Sequence, residues 1–456
     1  MSPTPTRIRA RAPSTAAFVV LATWFAACSS PPAPVDRHAP RAPNVVLILA
    51  DDLGWGDLSC QDEHAVGTPH LDRLAAEGVR FTDFYVAQPV CSASRAALLT
   101  GCYSNRVGIA GALAPSQSIG IADDETTIAE LCRSRGYATA AFGKWHLGHL
   151  PPFLPTRHGF DEYLGIPYSN DMGLANRVRP ERWPPLPWIE GETPIAYEPD
   201  QRGFTRTLTD QAIGFIERSH AASRPFFVYL AHPMPHTPIF ASPAFEGSTG
   251  RGRYADVIAE LDASVGAIVA TLERLGLRDD TLVVFLSDNG PWLVFGDHAG
   301  SSGPLREGKG TTFEGGVRVP SIWSWPSALP RGALRREPAM TIDVLPTIAG
   351  MVGAELPALP IDGADLGPLL RGEPDARAPH DALYFWYHQG DLEAMRAGRW
   401  KLHFPHAYRT MRGREPGRGG EPGAYDESAR IGIALFDLEL DPGETNDVAA
   451  THGDLV

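Results

Sequence analysis

The chain has 456 residues, of which 43% are hydrophobic and 21% charged, a balance typical of a folded protein with a large core. Its 46 Gly and 42 Pro make up about 19% of the residues, below the roughly 25–30% that marks low-complexity disorder. The formal net charge of -14 disfavours nucleic-acid binding, which needs a surplus of Lys and Arg. The 5 cysteines include no C-x-x-C pair, which excludes zinc-finger and thioredoxin-like sites.

The first 27 residues are predicted to form a signal peptide. Three arginines precede an apolar run over 16–27 that is too short to span a bilayer. The segment FAAC at 25–28 resembles the processing box of bacterial lipoproteins. We therefore expect export to the periplasm or cell surface, with a lipid on Cys28 as the only membrane attachment and a Pro-rich tether over 28–43. The alternative is an ordinary cleaved signal in which Cys28 has no role.

Four unbroken apolar runs rich in β-branched and aromatic residues predict strands that are buried on both faces of a sheet. Apolar residues at helical spacing, preceded by the N-cap candidates Thr68, Asp123 and Asp124, predict helices between these strands. Strands that alternate with helices indicate an α/β fold with a mostly parallel sheet and helices on both faces. The predicted strands are 44–50, 137–142, 225–231 and 281–286, and the predicted helices are 69–77, 125–135, 208–218 and 254–275.

The pattern changes after about residue 370. Short aromatic runs between turn-rich segments predict a small antiparallel sheet. A stretch at 409–424 contains mostly Gly, Arg and Pro without an apolar period, and it predicts a mobile loop or an insertion. We therefore expect a large domain over 44–370 and a small C-terminal α+β subdomain over 371–456. The aromatic runs are 383–388, 400–404 and 433–438.

Polar residues follow each of the four predicted strands. Because ligands bind outside the carboxyl ends of the strands in open α/β sheets, these residues are expected to share one rim. Each group alone also fits a turn or a cap. Together they favour a hard divalent cation, because adjacent carboxylates repel unless a charge neutralises them, and Ca²⁺ is weakly preferred to Mg²⁺. The groups are Asp51 and Asp52, Lys144 and His146, His232 and His236, and Asp288 and Asn289.

Six blocks of sequence carry a family signature. They are DDLGWGD at 51–57, CSASRAALLTG at 91–101, GKWHLG at 143–148, SDNG at 287–290, GKGTTFEGG at 308–316 and LFDLELDPGETND at 435–447. In this order they resemble the sulfatases of the arylsulfatase A and N-acetylgalactosamine-6-sulfatase type. The resemblance implies an alkaline-phosphatase-like fold and the hydrolysis of sulfate esters to an alcohol and inorganic sulfate.

In that family the motif cysteine is converted to formylglycine, which implies this modification at Cys91 and a maturation enzyme as a partner. A hydrated aldehyde offers one oxygen to attack sulfur and a second hydroxyl to expel sulfate, and neither serine nor cysteine can do both. The alternatives for Cys91 are a buried free thiol or a disulfide with Cys102 or Cys132. Residues 94–99 should begin a helix, whose N-terminal amides favour an anion beside residue 91.

The resemblance also implies a role for each site residue. Arg95 and Lys144 would orient the hydrated aldehyde, and His146 would accept the proton of its second hydroxyl. The residues that would hold the cation, together with residue 91 and the substrate sulfate, are Asp51, Asp52, Asp288 and Asn289. The residues that would contact the sulfate are Ser169, Lys144, His236 and Lys309. Of these, His236 and Lys309 would also assist the leaving alcohol, because an alkoxide leaves poorly unless it is protonated.

One departure from the family signature concerns maturation. The commonest form of the motif has Pro where this chain has Ala93. The oxygen-dependent maturing enzyme is associated with Pro, whereas the radical system tolerates Ala. Both maturation routes therefore stay open.

Two other functions stay open on the sequence. One is a phosphodiesterase or phosphonate monoester hydrolase of the same superfamily, and the other is a binding lipoprotein with an unmodified Cys91. We expect the substrate to be a small sulfated molecule or a terminal sulfated sugar, because an acidic chain disfavours a long polyanion. Five C-terminal side chains would either touch the leaving group or pack within the small sheet. They are Trp386, Tyr387, His388, His403 and His406.

Overall fold

The structure, a computed structural model, describes residues 42–456. The predicted signal peptide over 1–27 and the predicted lipid attachment at Cys28 lie outside these residues, as does nearly all of the tether over 28–43. Those three features stay predictions. Within 42–456, no helix combines the length and the apolar character that a membrane crossing requires.

The chain alternates between strands and helices for most of its length. The strands are β1 (Asn44–Ala50), β2 (Val79–Phe81), β3 (Phe84–Tyr85), β4 (Ala138–Lys144), β5 (Glu162–Ile166), β6 (Pro187–Glu190), β7 (Thr193–Tyr197), β8 (Phe226–Ala231), β9 (Thr281–Ser287), β10 (Ser321–Ser324), β11 (Ala333–Arg335), β12 (Ala339–Met340), β13 (Leu383–Tyr387), β14 (Asp391–Ala397), β15 (Trp400–His403), β16 (His406–Ala407), β17 (Arg430–Ile431) and β18 (Ala434–Asp437). The helices are α1 (Pro69–Ala76), α2 (Cys91–Thr100), α3 (Ile128–Ser134), α4 (Phe204–Ala221), α5 (Arg253–Arg274), α6 (Glu314–Val317), α7 (Val344–Val352) and α8 (Gly367–Arg371).

One large sheet organises the fold. Its 10 strands lie in the order β11-β2-β10-β9-β1-β8-β4-β5-β6-β7. The central strands β9, β1, β8, β4 and β5 run parallel, whereas β10 and β6 are antiparallel to their inner neighbours β9 and β5. The predicted α/β fold with a large, mostly parallel sheet is therefore confirmed.

Strand β1 shows why this sheet is covered on both faces. Its side chains alternate between the faces, and all of those that follow Asn44 are apolar and buried up to Ala50. Val45, Leu47 and Leu49 belong to the core that includes residues of α2, α3 and α7. Val46 and Ile48 belong to a second core with residues of α1, α4 and α5.

The carboxyl ends of four neighbouring strands are in register at one edge of the sheet. Ala50 on β1 pairs with Ser287 on β9, while Leu49 pairs with Ala231 on β8. Ala231 in turn pairs with Gly143 on β4. The residues that come next in each strand's sequence therefore begin at the same rim.

Three helix predictions differ from the structure at their N-termini. Helix α4, predicted over 208–218, spans Phe204–Ala221. Helix α3 begins at Ile128, after a capping box in which Thr127 and Glu130 bond to each other's backbone N–H, so Asp123 and Asp124 are not its caps. Helix α2 begins at Cys91 itself, because Val90 is extended and its carbonyl accepts the first helical bond from the Ser94 amide. The candidate nucleophile is therefore the first residue of a helix.

The predicted small antiparallel sheet is confirmed as β13-β14-β15-β18. The predicted runs became β13, β15 and β18, but β14 was missed because its sequence DLEAMRA contains several residues that are depleted in strands. The stretch 409–424 is irregular, and bonds such as the one from the Gly417 amide to the Val294 carbonyl (2.9 Å) anchor it to the large domain. The proposed domain limits at 370 and 371 stay predictions.

Candidate active site

The rim of the sheet brings together residues that are far apart in sequence. Asp51 and Asp52 follow β1, Lys144 ends β4, and Asp288 follows β9. The backbone is tightly constrained there: Asp52 and His146 adopt positive φ values of 65° and 60°, which non-glycine residues rarely adopt. Such backbone conformations persist where surrounding structure holds them, and they concentrate at functional sites.

Buried acidic and basic side chains alternate across this rim. The Arg95 guanidinium donates to Asp288 Oδ2 through Nε (2.9 Å) and Nη2 (2.8 Å), and through Nη1 to the Lys144 carbonyl (2.7 Å). Lys144 Nζ donates to Asp51 Oδ2 at 2.5 Å, and Lys309 Nζ lies 2.7 Å from Asp52 Oδ1. The site thus contains three carboxylates and three basic groups, all shielded from solvent.

Helix geometry explains why Arg95 can reach this site. Arg95 lies four residues after Cys91 on α2, so the two side chains share one face of the helix. The Val90 side chain offers no cap to the first turn of α2. The Ala93 amide donates to the Gly111 carbonyl (3.2 Å), which leaves the amides of Cys91 and Ser92 for an anion beside residue 91.

The oxygen atoms fit a hard divalent cation. Ligand atoms of Asp51, Asp52, Cys91 and His236 all lie within 4.8 Å of one another. Asn289 Nδ2 donates to Asp52 Oδ1 (2.7 Å), while the buried Asn289 Oδ1 has no hydrogen-bond partner among the described residues. A buried acceptor without a donor costs free energy, so this oxygen is suited to a cation.

The carboxyl groups differ in their pKa values. Burial raises the pKa of Asp51, but the charges of Lys144, Arg95 and Lys309 outweigh it and hold the pKa well below its usual range. For Asp52, burial dominates over Lys309 and raises the pKa to about 7. A divalent cation would favour the charged form of this carboxyl group.

Cys91 cannot act as a thiolate in this environment. Its Sγ lies 3.3 Å from Lys309 Nζ and 3.5 Å from Asp51 Oδ1. Burial raises the pKa of the thiol to about 12, despite the nearby charges of Lys144 and Lys309. Because the thiolate is the nucleophilic form of cysteine, an unmodified Cys91 would be almost unreactive at neutral pH.

The two histidines at the rim each have one ring nitrogen engaged by a backbone carbonyl. His146 Nε2 lies 2.8 Å from the Leu113 carbonyl oxygen, and His236 Nδ1 lies 2.6 Å from the Thr237 carbonyl oxygen. Each of these nitrogens therefore carries the proton, which leaves His146 Nδ1 and His236 Nε2 as acceptors. Burial lowers the pKa of both rings, so both are neutral.

Ser169 and Trp292 complete the wall around Lys309 and His236. Ser169 Oγ lies 3.1 Å from Lys144 Nζ and 3.3 Å from His236 Nε2. The Trp292 ring faces Lys309 Nζ, which is 4.5 Å from the ring centroid. Lys144, Lys309 and Lys401 are the three lysines of the chain, and all three are buried.

The family model described as Sulfatase matches residues 43–354, which is more than half of the chain. The chain belongs to the sulfatase family. It is 41% identical to arylsulfatase A of Bos taurus over 428 residues, covering 89% of this chain and 83% of that protein. It is also 41% identical to N-acetylgalactosamine-6-sulfatase of Sus scrofa over 382 residues, covering 80% and 72%.

Solved sulfatase structures share the fold. The crystal structure of PsFucS1 sulfatase from Pseudoalteromonas sp. superposes with a TM-score of 0.80 at 28% identity, covering 91% of this chain and 87% of that one. Arylsulfatase A, N-acetylgalactosamine-6-sulfatase and PsFucS1 are all sulfatases, which hydrolyse sulfate esters. The resemblance drawn from the six sequence blocks is therefore confirmed at the level of the family, the fold and the class of reaction.

In this sulfatase the structure brings ten of the proposed site residues into contact with one another, although their individual roles stay predictions. The disulfide alternatives for Cys91 are wrong, because Cys91, Cys102 and Cys132 are free. His232 lies apart from the others, with its Nε2 3.1 Å from Ser264 Oγ on α5. His146 is buried two residues after Lys144, and its only side-chain hydrogen bond among the described residues is the one to the Leu113 carbonyl. The residues that contact one another are Asp51, Asp52, Cys91, Arg95, Lys144, Ser169, His236, Asp288, Asn289 and Lys309.

Other neighbours of the pocket were not predicted, and of the two alternatives for His403 the structure confirms packing within the small sheet. Arg409, at the start of the irregular stretch 409–424, donates through Nη2 to the Lys309 carbonyl (2.6 Å). No pattern in the sequence predicted this contact. Trp292 lies two residues after the SDNG block at 287–290, and this proximity is a signal that would have placed it near the site. His403 cannot touch a ligand, because it is fully buried and lies 2.7 Å from Glu444 Oε1.

Proposed function

We propose that this sulfatase uses formylglycine made from Cys91, beside a bound Ca²⁺, to release sulfate from a sugar. The observation that carries the proposal is the position of Cys91: a thiol that cannot ionise lies at a helix N-terminus between Lys309 and Asp51. A hydrated aldehyde there supplies one oxygen for attack on sulfur and a second hydroxyl that expels sulfate.

The charges of the pocket suit an anionic ester. Asp51, Asp52 and Asp288 are balanced by Arg95, Lys144 and Lys309 when all are ionised, so a divalent cation would leave the pocket positive. A buried positive pocket attracts a sulfate group and stabilises charge that develops on its oxygens. The ligands of that cation would be Asp51, Asp52, Asp288, Asn289 and residue 91.

Each remaining residue has a defined task in the proposed reaction. Arg95 and Lys144 hold the Asp51 and Asp288 carboxylates and, with them, the position of residue 91. His146 Nδ1 has no hydrogen-bond partner within residues 42–456, so it can take a proton from the second hydroxyl of residue 91. Lys309 remains protonated and donates toward the oxygen of the leaving alcohol, with His236 beside it.

The leaving group is proposed to be a sulfated sugar or another small sulfated molecule. Support comes from a relative that is 41% identical and whose name specifies a sulfated N-acetylgalactosamine. The proposed location at the periplasm or cell surface, through a lipidated Cys28, is supported by the sequence of the first 28 residues. A maturation enzyme that modifies Cys91 is a required partner in this proposal.

Removal of the cation should change stability as well as activity. We expect dialysis against a chelator to abolish turnover and lower the melting temperature, and added Ca²⁺ to restore both. Saturation to about 100 times Kd stabilises a folded protein by about 2.7 kcal/mol. The Asn289→Ala variant should show a smaller Ca²⁺-induced shift by calorimetry. An equal shift in both proteins would contradict the assignment of Asn289 as a ligand.

Comparison of matched esters tests the reaction itself. Protein carrying the modification should hydrolyse 4-nitrophenyl sulfate faster than 4-nitrophenyl phosphate, and mass spectrometry of the peptide around residue 91 should show the sulfur replaced by a carbonyl oxygen. Faster phosphate hydrolysis would instead indicate a phosphoesterase. Unmodified cysteine in protein from the native source, together with no turnover of either ester, would indicate a binding protein.

A further inference from the structure

A narrow cleft adjoins the wall of the candidate active site. It is formed by the loop that follows Ser169 and the loop that follows His236, with Phe295 and Gly420 on its other side. Two of its lining residues, Asp171 and Thr237, lie two positions and one position after these two site residues. No role in the proposed reaction has been assigned to either of them.

Both residues present unused hydrogen-bonding atoms. Asp171 Oδ1 and Thr237 Oγ1 are buried and have no hydrogen-bond partner in the described part of the chain. Leaving a buried polar atom unpaired costs free energy, so native proteins normally satisfy such atoms with protein, water or ligand. A carboxylate accepts hydrogen bonds and a hydroxyl can donate one, so the pair is complementary to a group that does both.

The cleft is large enough for one small group that both donates and accepts a hydrogen bond. Its volume is about 20 Å³, which holds about one water-sized group and is too small for a sugar ring. A hydroxyl group can donate to Asp171 and accept from Thr237 at the same time. The cleft therefore fits one hydroxyl of a larger molecule, or a single water when that molecule is absent.

The two loops are fixed relative to each other and to the catalytic groups. Asn170 Nδ2 donates to the Pro238 carbonyl (3.1 Å) and to Gln201 Oε1 (3.0 Å), which ties the first loop to the second. Burial raises the pKa of Asp171, and the charges of Lys309 and Lys144 oppose this effect. Asp171 follows Ser169 by two residues, and Ser169 Oγ lies 3.1 Å from Lys144 Nζ, so the loop that carries Asp171 begins beside the residues that would hold the sulfate.

We propose that Asp171 and Thr237 bind one hydroxyl of the sugar leaving group, and so select sugar sulfates over aryl sulfates. This inference rests on the proposed sulfatase activity and adds the residues that recognise the alcohol. An aryl leaving group without hydroxyl substituents cannot use these contacts. Asp171 and Thr237 would then determine which leaving group is preferred. The sulfate itself would be held by Ser169, Lys144, His236 and Lys309.

The test compares two classes of ester in the modified enzyme. A panel of O-sulfated hexoses and N-acetylhexosamines first identifies the monosaccharide sulfate with the highest kcat/KM. The ratio of its kcat/KM to that of 4-nitrophenyl sulfate should fall by about 10- to 100-fold in Asp171→Asn, the range expected for loss of a hydrogen bond to a charged acceptor. Thr237→Val should lower the ratio in the same direction.

Deoxy sugars provide the decisive readout. Removing the recognised hydroxyl from the sugar should lower turnover by the original enzyme and should remove the difference between that enzyme and Asp171→Asn. The exposed Asp124→Asn variant is the matched control and should leave the ratio unchanged. Its melting temperature and that of Asp171→Asn should both match the original protein.

Several results would overturn the inference while leaving the proposed function intact. One is an unchanged ratio in Asp171→Asn, which means that the cleft holds only water. Another is an equal loss for sugar and aryl esters, which means that Asp171 supports the catalytic groups or the fold. Turnover of aryl sulfates alone would also overturn it. Absence of turnover on every sulfate ester would instead refute the proposed function.

Discussion

Replacing Cys91 with Ala is expected to lower kcat/KM for 4-nitrophenyl sulfate by about 10⁴-fold or more, as removal of a nucleophile typically does. The methyl group cannot be converted to an aldehyde. Cys91→Ser is expected to lose as much unless its hydroxyl is oxidised to the same aldehyde, because a serine hydroxyl can attack but offers no second hydroxyl for expulsion of sulfate. Initial rates on modified protein and on each variant provide the measurement.

Cys102→Ala is the matched control for this prediction. Cys102 is also a buried free thiol, but within residues 42–456 its hydrogen bonds go to the backbone of Thr100 and Pro360 and to no charged side chain. This variant should keep the activity of the original enzyme. The proposal would be contradicted if Cys91→Ala retained more than about one hundredth of the rate, since residue 91 would then not supply the attacking oxygen.

Replacing Lys401 with Met is expected to lower the free energy of unfolding by about 3–5 kcal/mol, the range found when one partner of a buried ion pair is removed. Lys401 Nζ lies 2.8 Å from Glu314 Oε1 and 3.2 Å from Glu444 Oε1, and all three side chains are fully buried. Met fills a similar volume but leaves both carboxylates without this charge. Urea unfolding at neutral pH would measure the loss.

The pH dependence of that loss has a defined sign. Burial raises the pKa of Glu314, but Lys401, Arg318 and Arg396 outweigh it and lower the pKa to about 2, against 4.5 in the unfolded chain. The stabilising contribution of Glu314 is thus complete above pH 4.5 and is lost as the pH falls toward 2. The difference between Lys401→Met and the original protein should therefore shrink below pH 4.5.

A surface ion pair supplies the comparison for Lys401. The Arg218 guanidinium lies 2.7 Å from Glu162, but both side chains are largely exposed, at 57% and 44%. Arg218→Met should cost at most about 1 kcal/mol, with little dependence on pH. Equal losses in the two variants would show that the Lys401 cluster contributes no more than an exposed pair.

The large sheet was predictable because its central strands are buried on both faces and therefore appear in the sequence as unbroken apolar runs. The runs that form β1, β4, β8 and β9 are apolar throughout, and their edges were predicted to within two residues. Several strands of mixed polar and apolar composition were not predicted. One of them, β14, is polar at several positions, and its place is set by pairing with β13 and β15. Tertiary contacts, more than local preference, decide such segments.

The site was predictable where its residues follow buried strands or lie in family blocks. Asp51, Lys144 and Asp288 met both conditions. Arg409 met neither, because it reaches the Lys309 carbonyl from an irregular stretch. Asp171, the proposed contact of the leaving group, also met neither, because it lies in a loop whose shape depends on Asn170. Long-range hydrogen bonds of this kind leave no period or spacing in the sequence.

The burial of all three lysines gives the folded enzyme a surface without ε-amino groups. Reagents that acylate primary amines, such as N-hydroxysuccinimide esters, should leave its side chains unlabelled until the chain opens. Surface coupling through amines would then be confined to the amino terminus, and the appearance of acylated lysine would report unfolding directly.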